Sequence, residues 1–399
     1  MSKRSRWGSP TDRIYLDNAA TTRPRPEILS AMREADERAW GNPSSLHADG
    51  MAARRLVEAA RETVARLLGG EAREVLFTSG GTESDNLAVI GIARGLRASQ
   101  HAGLARGRHV VTSRIEHHAV LHACAALAKE GFEIGFVGVS PSGAVDPDEV
   151  ARALRPDTVL VSVMLANNET GALQPIAEIA RRCRERGVLV HTDAVQAAGK
   201  VPIVVRSLGV DALSISAHKL HGPKGAGALW LRSGVPIEPL LHGGGHERQL
   251  RAGTENVAGI VGLARALELA EADRAADVPR IAALRDRLEK GILDRIPGVL
   301  VNGANRVAGL LNVCFDAIEG EGVVLMLSHQ GISCSTGSAC TSSSREPSHV
   351  LAAMGVPPRT AQGSVRFSLG RDNDEAQIDR TLDALVDVAS RLRAMSPFA

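Results

Sequence analysis

The stretch between residues 189 and 219 decides the fold class of this protein. It opens with Leu189-Val-His-Thr-Asp-Ala-Val-Gln196 and closes with Ala212-Leu-Ser-Ile-Ser-Ala-His-Lys219, so two apolar strands each end in polar side chains. Similar short apolar runs alternate with helical patterns along the chain. This alternation predicts an α/β fold whose largely parallel sheet is covered by helices on both faces. The predicted strands are Val75–Thr78, Val110–Ser113, Val159–Leu165, Leu189–Asp193, Ala212–Ser216 and Gly227–Leu231.

A change of pattern after about Gly259 predicts a second, smaller domain. The stretch Leu263–Ile296 is rich in Ala, Leu, Glu and Arg, which are strong helix formers. We expect this helix to break near Pro279, because proline removes a backbone hydrogen bond and clashes with the preceding turn.

Composition excludes several classes of protein. The 399 residues are 44% hydrophobic and 23% charged, which excludes wholesale disorder, and the net charge of +2 gives no reason to expect a nucleic-acid partner. No apolar run approaches the ~18–20 residues of a membrane helix, and no apolar segment follows the polar N-terminus. The five cysteines are odd in number and contain no Cys-x-x-Cys, which favours reduced thiols. We therefore expect a cytoplasmic protein without membrane contact.

A tight turn after the first predicted strand is suited to an anion. In Phe77-Thr-Ser-Gly-Gly-Thr-Glu-Ser-Asp85 two glycines precede a predicted helix, where backbone N–H groups and the helix dipole favour phosphate. A plain capped turn would give the same pattern. A P-loop is excluded because no Lys-Ser/Thr pair closes the motif.

Two predicted strands between residues 189 and 219 end in side chains that, together with a phosphate-binding turn, suit one particular cofactor. Ligands of open α/β sheets bind beyond the carboxyl ends of strands. There Asp193 could pair with a protonated ring nitrogen, and Lys219 could form a Schiff base near Ser214, Ser216 and His218. Either residue alone could be a surface charge. The ordered set of phosphate turn, Asp193 and Lys219 predicts pyridoxal phosphate (PLP).

With these motifs the chain resembles a known family, the cysteine desulfurases of the nitrogen-fixation and iron–sulfur-assembly type. These belong to the class V aminotransferases of PLP fold type I. The resemblance runs from Tyr15 to Arg371, nearly the whole chain. Its most specific blocks are Thr78-Ser-Gly-Gly-Thr-Glu-Ser84, Asn167-Asn-Glu-Thr-Gly171, His191-Thr-Asp-Ala-Val-Gln196, Ser216-Ala-His-Lys219, Gly243-Gly-Gly-His-Glu-Arg248 and Gly337-Ser-Ala-Cys-Thr-Ser342.

The resemblance implies a fold and an activity. It implies a large PLP-binding domain over residues 20–260, with a mostly parallel seven-stranded sheet. Residues 1–19 and 261–399 would form a smaller α+β domain that carries a mobile catalytic cysteine loop. The implied reaction converts L-cysteine to L-alanine and leaves a persulfide on Cys340, whose sulfur passes to an acceptor such as an iron–sulfur scaffold protein. There Cys340 could transiently contact an iron–sulfur cluster on the partner, whereas no metal site of the chain's own is implied.

The resemblance also implies roles for individual residues. Lys219 would hold PLP as a Schiff base, Asp193 would pair with its ring nitrogen, and His117 would stack on the ring and move protons. Cys340 would attack the substrate sulfur. The remaining implied contacts are Gln196 and Asn168 near the ring oxygen, Gly81, Thr82, Ser216 and His218 at the phosphate, and Asn168 with Arg366 at the substrate.

Arg366 and Cys340 are also distinctive by pattern. In Ser364-Val-Arg-Phe-Ser-Leu369 alternation places Arg366 with the serines, opposite an apolar face, where it would clasp a carboxylate or make a structural ion pair. Cys340 lies in a run of tiny polar residues that is expected to be mobile, whereas Cys334 does not match the family motif. The spacing of His118 and His122 also fits a metal pair, although no completing ligand is apparent.

The assembly and the specificity follow from the resemblance as well. In this family the segment Gly243–Thr254 crosses a subunit boundary, so we expect a homodimer in which Thr254 reaches the phosphate of the partner's cofactor. A selenocysteine lyase, a simple aminotransferase or a catalytically silent scaffold remain alternatives. The N-terminal arm and the loop 98–108 are longer than is typical of the family, and the sulfur acceptor is open.

Overall fold

The computed structural model of the chain describes residues 13–98, 107–337 and 347–396. Cys340, the N-terminal arm up to residue 12 and most of the loop 98–108 lie outside the described residues. The strands of the described ranges, numbered in chain order, are β1 (Ile14–Tyr15), β2 (Val75–Thr78), β3 (His109–Ser113), β4 (Glu133–Val137), β5 (Thr158–Ser162), β6 (Leu189–Asp193), β7 (Ala212–Ser216), β8 (Gly227–Leu231), β9 (Val299–Asn302), β10 (Leu310–Phe315), β11 (Ile332–Ser333) and β12 (Ser364–Ser368).

The largest sheet contains seven strands in the order β2-β8-β7-β6-β5-β3-β4. Strand β8 runs antiparallel to both of its neighbours, and the other neighbouring pairs are parallel. The predicted α/β fold with a mostly parallel seven-stranded sheet is confirmed. All six predicted strands lie in this sheet, but β4 was missed because its residues do not form the continuous apolar run expected of a buried strand.

Helices cover both faces of this sheet and also join it to the rest of the molecule. One π-helical turn, Leu87–Gly91, links two of them into a longer helical stretch. The helices are α1 (Pro26–Arg38), α2 (Ala48–Leu68), α3 (Gly81–Asn86), α4 (Ile92–Ala98), α5 (His118–Lys129), α6 (Pro147–Ala153), α7 (Ile176–Arg184), α8 (Val205–Leu208), α9 (Val257–Arg295), α10 (Gly320–His329), α11 (His349–Ala353), α12 (Pro358–Ala361) and α13 (Glu375–Met395).

Two smaller sheets are built from the ends of the chain. Strands β12, β10 and β9 form an antiparallel sheet, and β1 pairs with β11 in parallel. Their apolar side chains pack with α13 and the second half of α9 into a core separate from that of the large sheet. The first residues of the chain therefore pack against its C-terminal part, while the domain limits given above stay a prediction.

The expected break at Pro279 is wrong, because α9 continues through this residue. Its first part contributes Ile260 and Leu263 to the core of the large sheet, and its last part contributes Leu288 and Ile292 to the smaller core. Burial at both ends outweighs the roughly 3 kcal/mol by which an interior proline disfavours a helix. The helix thus passes from one core to the other.

None of the helices in the described ranges has both the length and the apolar character needed to cross a membrane.

Candidate active site

The candidate site lies at the carboxyl ends of β6 and β7, where the sequence placed it. Lys219 ends a short helical turn, Ala217–Lys219, that directly follows β7. Its Nζ donates hydrogen bonds to the carbonyl oxygens of Ala19 and Ala20, over 2.6 and 2.7 Å. The amine is therefore held against the N-terminal segment that leads from β1 to α1.

Asp193 is the last residue of β6 and its side chain is buried. Its Oδ1 accepts a hydrogen bond from Val195 N over 2.8 Å. Burial raises the pKa of Asp193 to about 6, although the Val195 N–H and the charge of Lys219 both oppose this change. A buried carboxylate of this kind is stabilised by a cationic partner, and a protonated ring nitrogen would be one.

The turn before α3 and the end of β7 together form a pocket that contains a polar atom without a hydrogen-bond partner among the described residues. Gly80 adopts φ 155°. A Cβ on Gly81 would lie 2.8 Å from Val195 Cγ2, so the turn approaches Val195, two residues after β6, more closely than a larger residue allows. Ser216, at the end of β7, has a buried Oγ without a hydrogen-bond partner among the described residues. Thr82 occupies the second position of α3. An anionic oxygen would satisfy Ser216 here, so the residues present fit a phosphate group.

His218 and Gln196 lie beside the lysine. The ring of His218 approaches Thr21 Oγ1 with Nδ1 at 3.2 Å, and burial followed by the charge of Lys219 lowers its pKa to about 4. Gln196 Nε2 donates to Ala19 O over 2.8 Å, so it shares that carbonyl with Lys219. Both side chains therefore contact the same N-terminal segment as Lys219.

His117 is the N-cap of α5, and its Nδ1 accepts a hydrogen bond from Ala119 N over 3.1 Å. Burial lowers its pKa to about 4, and the positive charge of Lys219 adds to the effect. The imidazole is therefore neutral at pH 7. Because Nδ1 accepts, its proton lies on Nε2.

Arg366 lies in the middle of β12 and is buried. Ser364 and Ser368, two positions away in each direction, are buried as well. Its Nη1 donates to Asn168 O over 2.9 Å and its Nη2 to Asp17 Oδ1 over 3.0 Å. The ion pair that the sequence left open is thus present. Capacity for a ligand also remains, since Arg366 Nε and Asn168 Oδ1 are buried without a partner among the described residues.

The described cysteines are all free and buried, which makes them poor nucleophiles. Burial raises the pKa of Cys334 to about 12, and the nearby charge of Asp17 contributes. Cys340 lies outside the described residues, but the residues before and after its segment approach the site. Ser335 exchanges two backbone hydrogen bonds with Arg366, and Ser348 Oγ donates to Glu169, the residue after Asn168.

Two other predictions concern Thr254 and the pair formed by His118 and His122. Thr254 is exposed in the coil between the segment His246–Gln249 and α9. The rings of His118 and His122 are 5.1 Å apart, and His349 stands 4.9 Å from His118. Over residues 13–98, 107–337 and 347–396, no cluster of three or more His, Cys, Asp or Glu side chains could hold a metal ion.

Sequence analysis missed two ionisable residues next to the site, the buried Asp85 and the half-buried Lys200. Asp85, on α3, has its Oδ1 3.7 Å from His191 Nε2, and burial together with the charge of Asp193 raises its pKa. Lys200 donates from Nζ to Gln196 Oε1 over 3.0 Å. Asp85 is the last residue of a quoted motif and Lys200 follows another by four residues, but only the packing shows their surroundings.

The chain is similar over nearly its whole length to proteins of one family. Residues 14–381 match the family described as Aminotransferase class-V. The chain is 50% identical over 386 residues to a protein named cysteine desulfurase IscS from Methanosarcina thermophila, which covers 96% of this chain and 94% of the relative. A solved NifS-like protein superposes with a TM-score of 0.88 at 40% identity, covering 95% of this chain and 100% of that one. The structure of SspA in complex with cysteine gives a TM-score of 0.78 at 35% identity, over 89% and 98% of the two chains.

Proposed function

Because this chain belongs to the class V aminotransferase family, in which it is a cysteine desulfurase, we propose that it binds PLP on Lys219 and uses it to move the sulfur of L-cysteine to Cys340. The relatives that share this fold and sequence belong to a PLP-dependent family. The observation that carries the proposal is the convergence of Lys219, Asp193 and the Ser216 pocket at one edge of the large sheet.

PLP, when bound, supplies an electron sink that weakens the bonds around the α-carbon of an amino acid. Lys219 would hold it covalently, and the Asp193 carboxylate would keep its ring nitrogen protonated. Gln196 and Asn168 would contact the ring oxygen. The phosphate would be bound by the turn before α3 and by the end of β7, namely Gly81, Thr82, Ser216 and His218.

His117 would be the proton carrier next to the reacting atoms. Its ring is neutral and its Nδ1 is occupied by the Ala119 N–H, so a proton can be exchanged at Nε2 only. A neutral imidazole also stacks on an aromatic ring without adding positive charge to the site.

Arg366 would orient L-cysteine by binding its carboxylate. The guanidinium is already fixed by Asp17 and by Asn168 O, so it loses little freedom when substrate binds. Asn168 Oδ1 and Arg366 Nε, which have no hydrogen-bond partner in the part of the chain that the structure describes, mark where the amino acid would enter.

We expect Arg366→Lys to raise the KM for L-cysteine by about 10- to 100-fold and to change kcat much less, because a lysine keeps the charge but loses the fork that binds a carboxylate. Steady-state alanine production measures both constants. Arg287→Lys is the matched control, because Arg287 pairs with Asp379 on the exposed surface. A wild-type KM in Arg366→Lys would contradict the substrate role and leave Arg366 only its structural ion pair.

Cys340 would receive the sulfur. Its thiolate would attack the sulfur of bound L-cysteine, forming an S–S bond as the C–S bond breaks, and the pair of electrons left on carbon would take up a proton to give L-alanine. Sulfur is thus transferred without an external oxidant or reductant. The positions of Ser335 and Ser348 support this role, because the segment between them starts and ends beside Arg366 and Glu169.

The proposed reaction is tested by a single turnover with L-cysteine and no keto acid. We expect equal amounts of alanine and of enzyme persulfide from a yellow protein. Alanine that appears only with a keto acid would favour a simple aminotransferase, and preference for selenocysteine would favour a selenocysteine lyase. A colourless protein that cannot be loaded with PLP would favour a silent scaffold.

We also propose that the active unit is a homodimer. Two large apolar side chains are unusually exposed between α1 and α2, where Leu46 is 90% and Trp40 73% exposed. Thr254 is also exposed, so its side chain could contact a second copy of the chain. Burial of such groups is what a stable interface between copies requires.

We expect Thr254→Ala to weaken PLP retention by about 1–3 kcal/mol, the range of one hydrogen bond to a charged group. Dialysis against PLP, with light scattering at the same concentrations, measures retention and assembly together. Thr63→Ala removes a hydroxyl that donates to Ala59 O within its own helix and should leave both unchanged. A monomer with full PLP retention and turnover would refute the shared site.

The sulfur acceptor is proposed only by class, as a protein such as an iron–sulfur scaffold. The described thiols are all reduced and buried, which is typical of proteins in a reducing compartment and supports a cytoplasmic location. Transfer of labelled sulfur from Cys340 to candidate acceptors would identify the partner.

A further inference from the structure

Lys200 is a second lysine at the site that none of the proposed roles uses. It lines, together with Lys219, a cavity of about 100 Å³ that lies between the two cores. The preceding residue, Gly199, has φ 67°, and a Cβ there would lie 2.7 Å from Ala270 Cβ. The backbone that presents Lys200 is therefore fixed in a conformation that requires glycine.

The contacts of Gln196 determine which edge of its amide faces which neighbour. Oε1 accepts from Lys200 Nζ over 3.0 Å, while Nε2 donates to Ala19 O over 2.8 Å. A lysine amine is a donor in its charged form, and a carbonyl only accepts. If the amide were flipped, its N–H group would face the Lys200 amine and its oxygen would face the Ala19 carbonyl oxygen. The amide N–H edge is thus held on the side of Ala19 and Lys219.

The same contacts connect the two lysines. Ala19 O accepts from both Gln196 Nε2 and Lys219 Nζ, so the chain of contacts runs from Lys200 through Gln196 to Ala19 and the catalytic amine. Burial, with the like charges of Lys219 and Arg366, lowers the pKa of Lys200 to about 7. Enclosing a second amine so close to Lys219 is unfavourable, and a hydrogen bond to an uncharged amide offsets only part of that cost.

We propose that Lys200 is a positioning residue that holds Gln196 with its amide N–H directed at the ring oxygen of PLP. Gln196 makes the contact, and Lys200 acts through it. This inference rests on the proposed function, because it requires PLP to bind at Lys219.

The first test measures PLP binding rather than turnover. We expect Lys200→Met to weaken PLP binding about tenfold in dialysis against known PLP concentrations, and to shift the visible band of the bound cofactor, because an unrestrained amide loses its hydrogen bond to the ring oxygen. Lys200→Arg, which keeps a cationic donor, should restore most of both properties. Lys129→Met, at an exposed position on α5, is the matched control.

The second test is a double-mutant cycle with Gln196→Ala. If Lys200 acts through Gln196, adding Lys200→Met to Gln196→Ala should weaken PLP binding by no more than about twofold. Independent roles would instead multiply the two losses. Circular dichroism establishes folding, and Lys200→Gln replaces the methionine variant throughout if that variant does not fold.

The outcomes separate this inference from the proposed function. Wild-type protein that takes up no PLP would refute the proposed function itself. Wild-type protein that binds PLP, while Lys200→Met binds it equally well or the losses multiply in the cycle, would overturn the positioning role and leave the function intact.

Discussion

Lys219→Ala is expected to give a colourless protein whose conversion of L-cysteine to alanine is at least about 10³-fold slower than that of the wild type. Alanine cannot form the covalent bond to PLP. It also removes the amine that the carbonyl oxygens of Ala19 and Ala20 hold and whose charge acts on Asp193. PLP would then be retained only by its phosphate and ring contacts. The visible spectrum after dialysis and the alanine yield in a single turnover measure the two losses.

A matched control separates loss of this amine from loss of any lysine. Lys129→Ala, exposed on α5, should keep both the colour and the turnover of the wild type. Unfolding curves check that Lys219→Ala remains folded after it loses the hydrogen bonds that Lys219 Nζ donates to two backbone carbonyls. A Lys219→Ala protein with wild-type colour and turnover would show that another residue carries PLP.

The large sheet could be predicted from the sequence because its central strands are buried on both faces. Runs such as Leu189–Asp193 and Ala212–Ser216 start with two apolar residues, end in polar residues and are buried throughout, so their limits are visible in the sequence. Strand β4 was missed because its exposed and half-buried residues lack that signal. The path of α9 through Pro279 was also missed, because it depends on packing against two cores that local propensity does not contain.

Site residues could be predicted where they lie in one sequence motif. Contacts between segments that are far apart in the sequence could not be predicted. The positions of Asp193 and Lys219 follow from the strand ends on which they lie. The carbonyl of Ala19, which accepts from both Lys219 and Gln196, comes from a segment some 200 residues away in sequence. Lys200 could not be recognised for the same reason, since its burial depends on the approach of the second core.

Cys340→Ser is expected to bind PLP and L-cysteine normally and to release sulfur at least about 10³-fold more slowly, the scale of loss seen when a nucleophile is removed. The hydroxyl of serine is a far weaker nucleophile than a thiolate at neutral pH. The residues proposed to hold PLP and the substrate carboxylate, among them Lys219, Asp193 and Arg366, are not changed in this variant. Persulfide formation after one turnover is measured by mass spectrometry of peptides alongside sulfide release.

The matched control for Cys340 is Cys334, six positions earlier in the sequence. Burial raises the pKa of Cys334 to about 12, so almost none of it is thiolate at pH 7. We therefore expect Cys334→Ser to keep wild-type sulfur release, and we expect wild-type enzyme treated with L-cysteine to carry one added sulfur on the peptide that contains Cys340. Added sulfur on Cys334, or undiminished release by Cys340→Ser, would show that the sulfur follows a different route. The two variants together thus decide between an enclosed thiol whose surroundings suppress ionisation and a thiol whose segment begins beside Arg366 and ends beside Glu169.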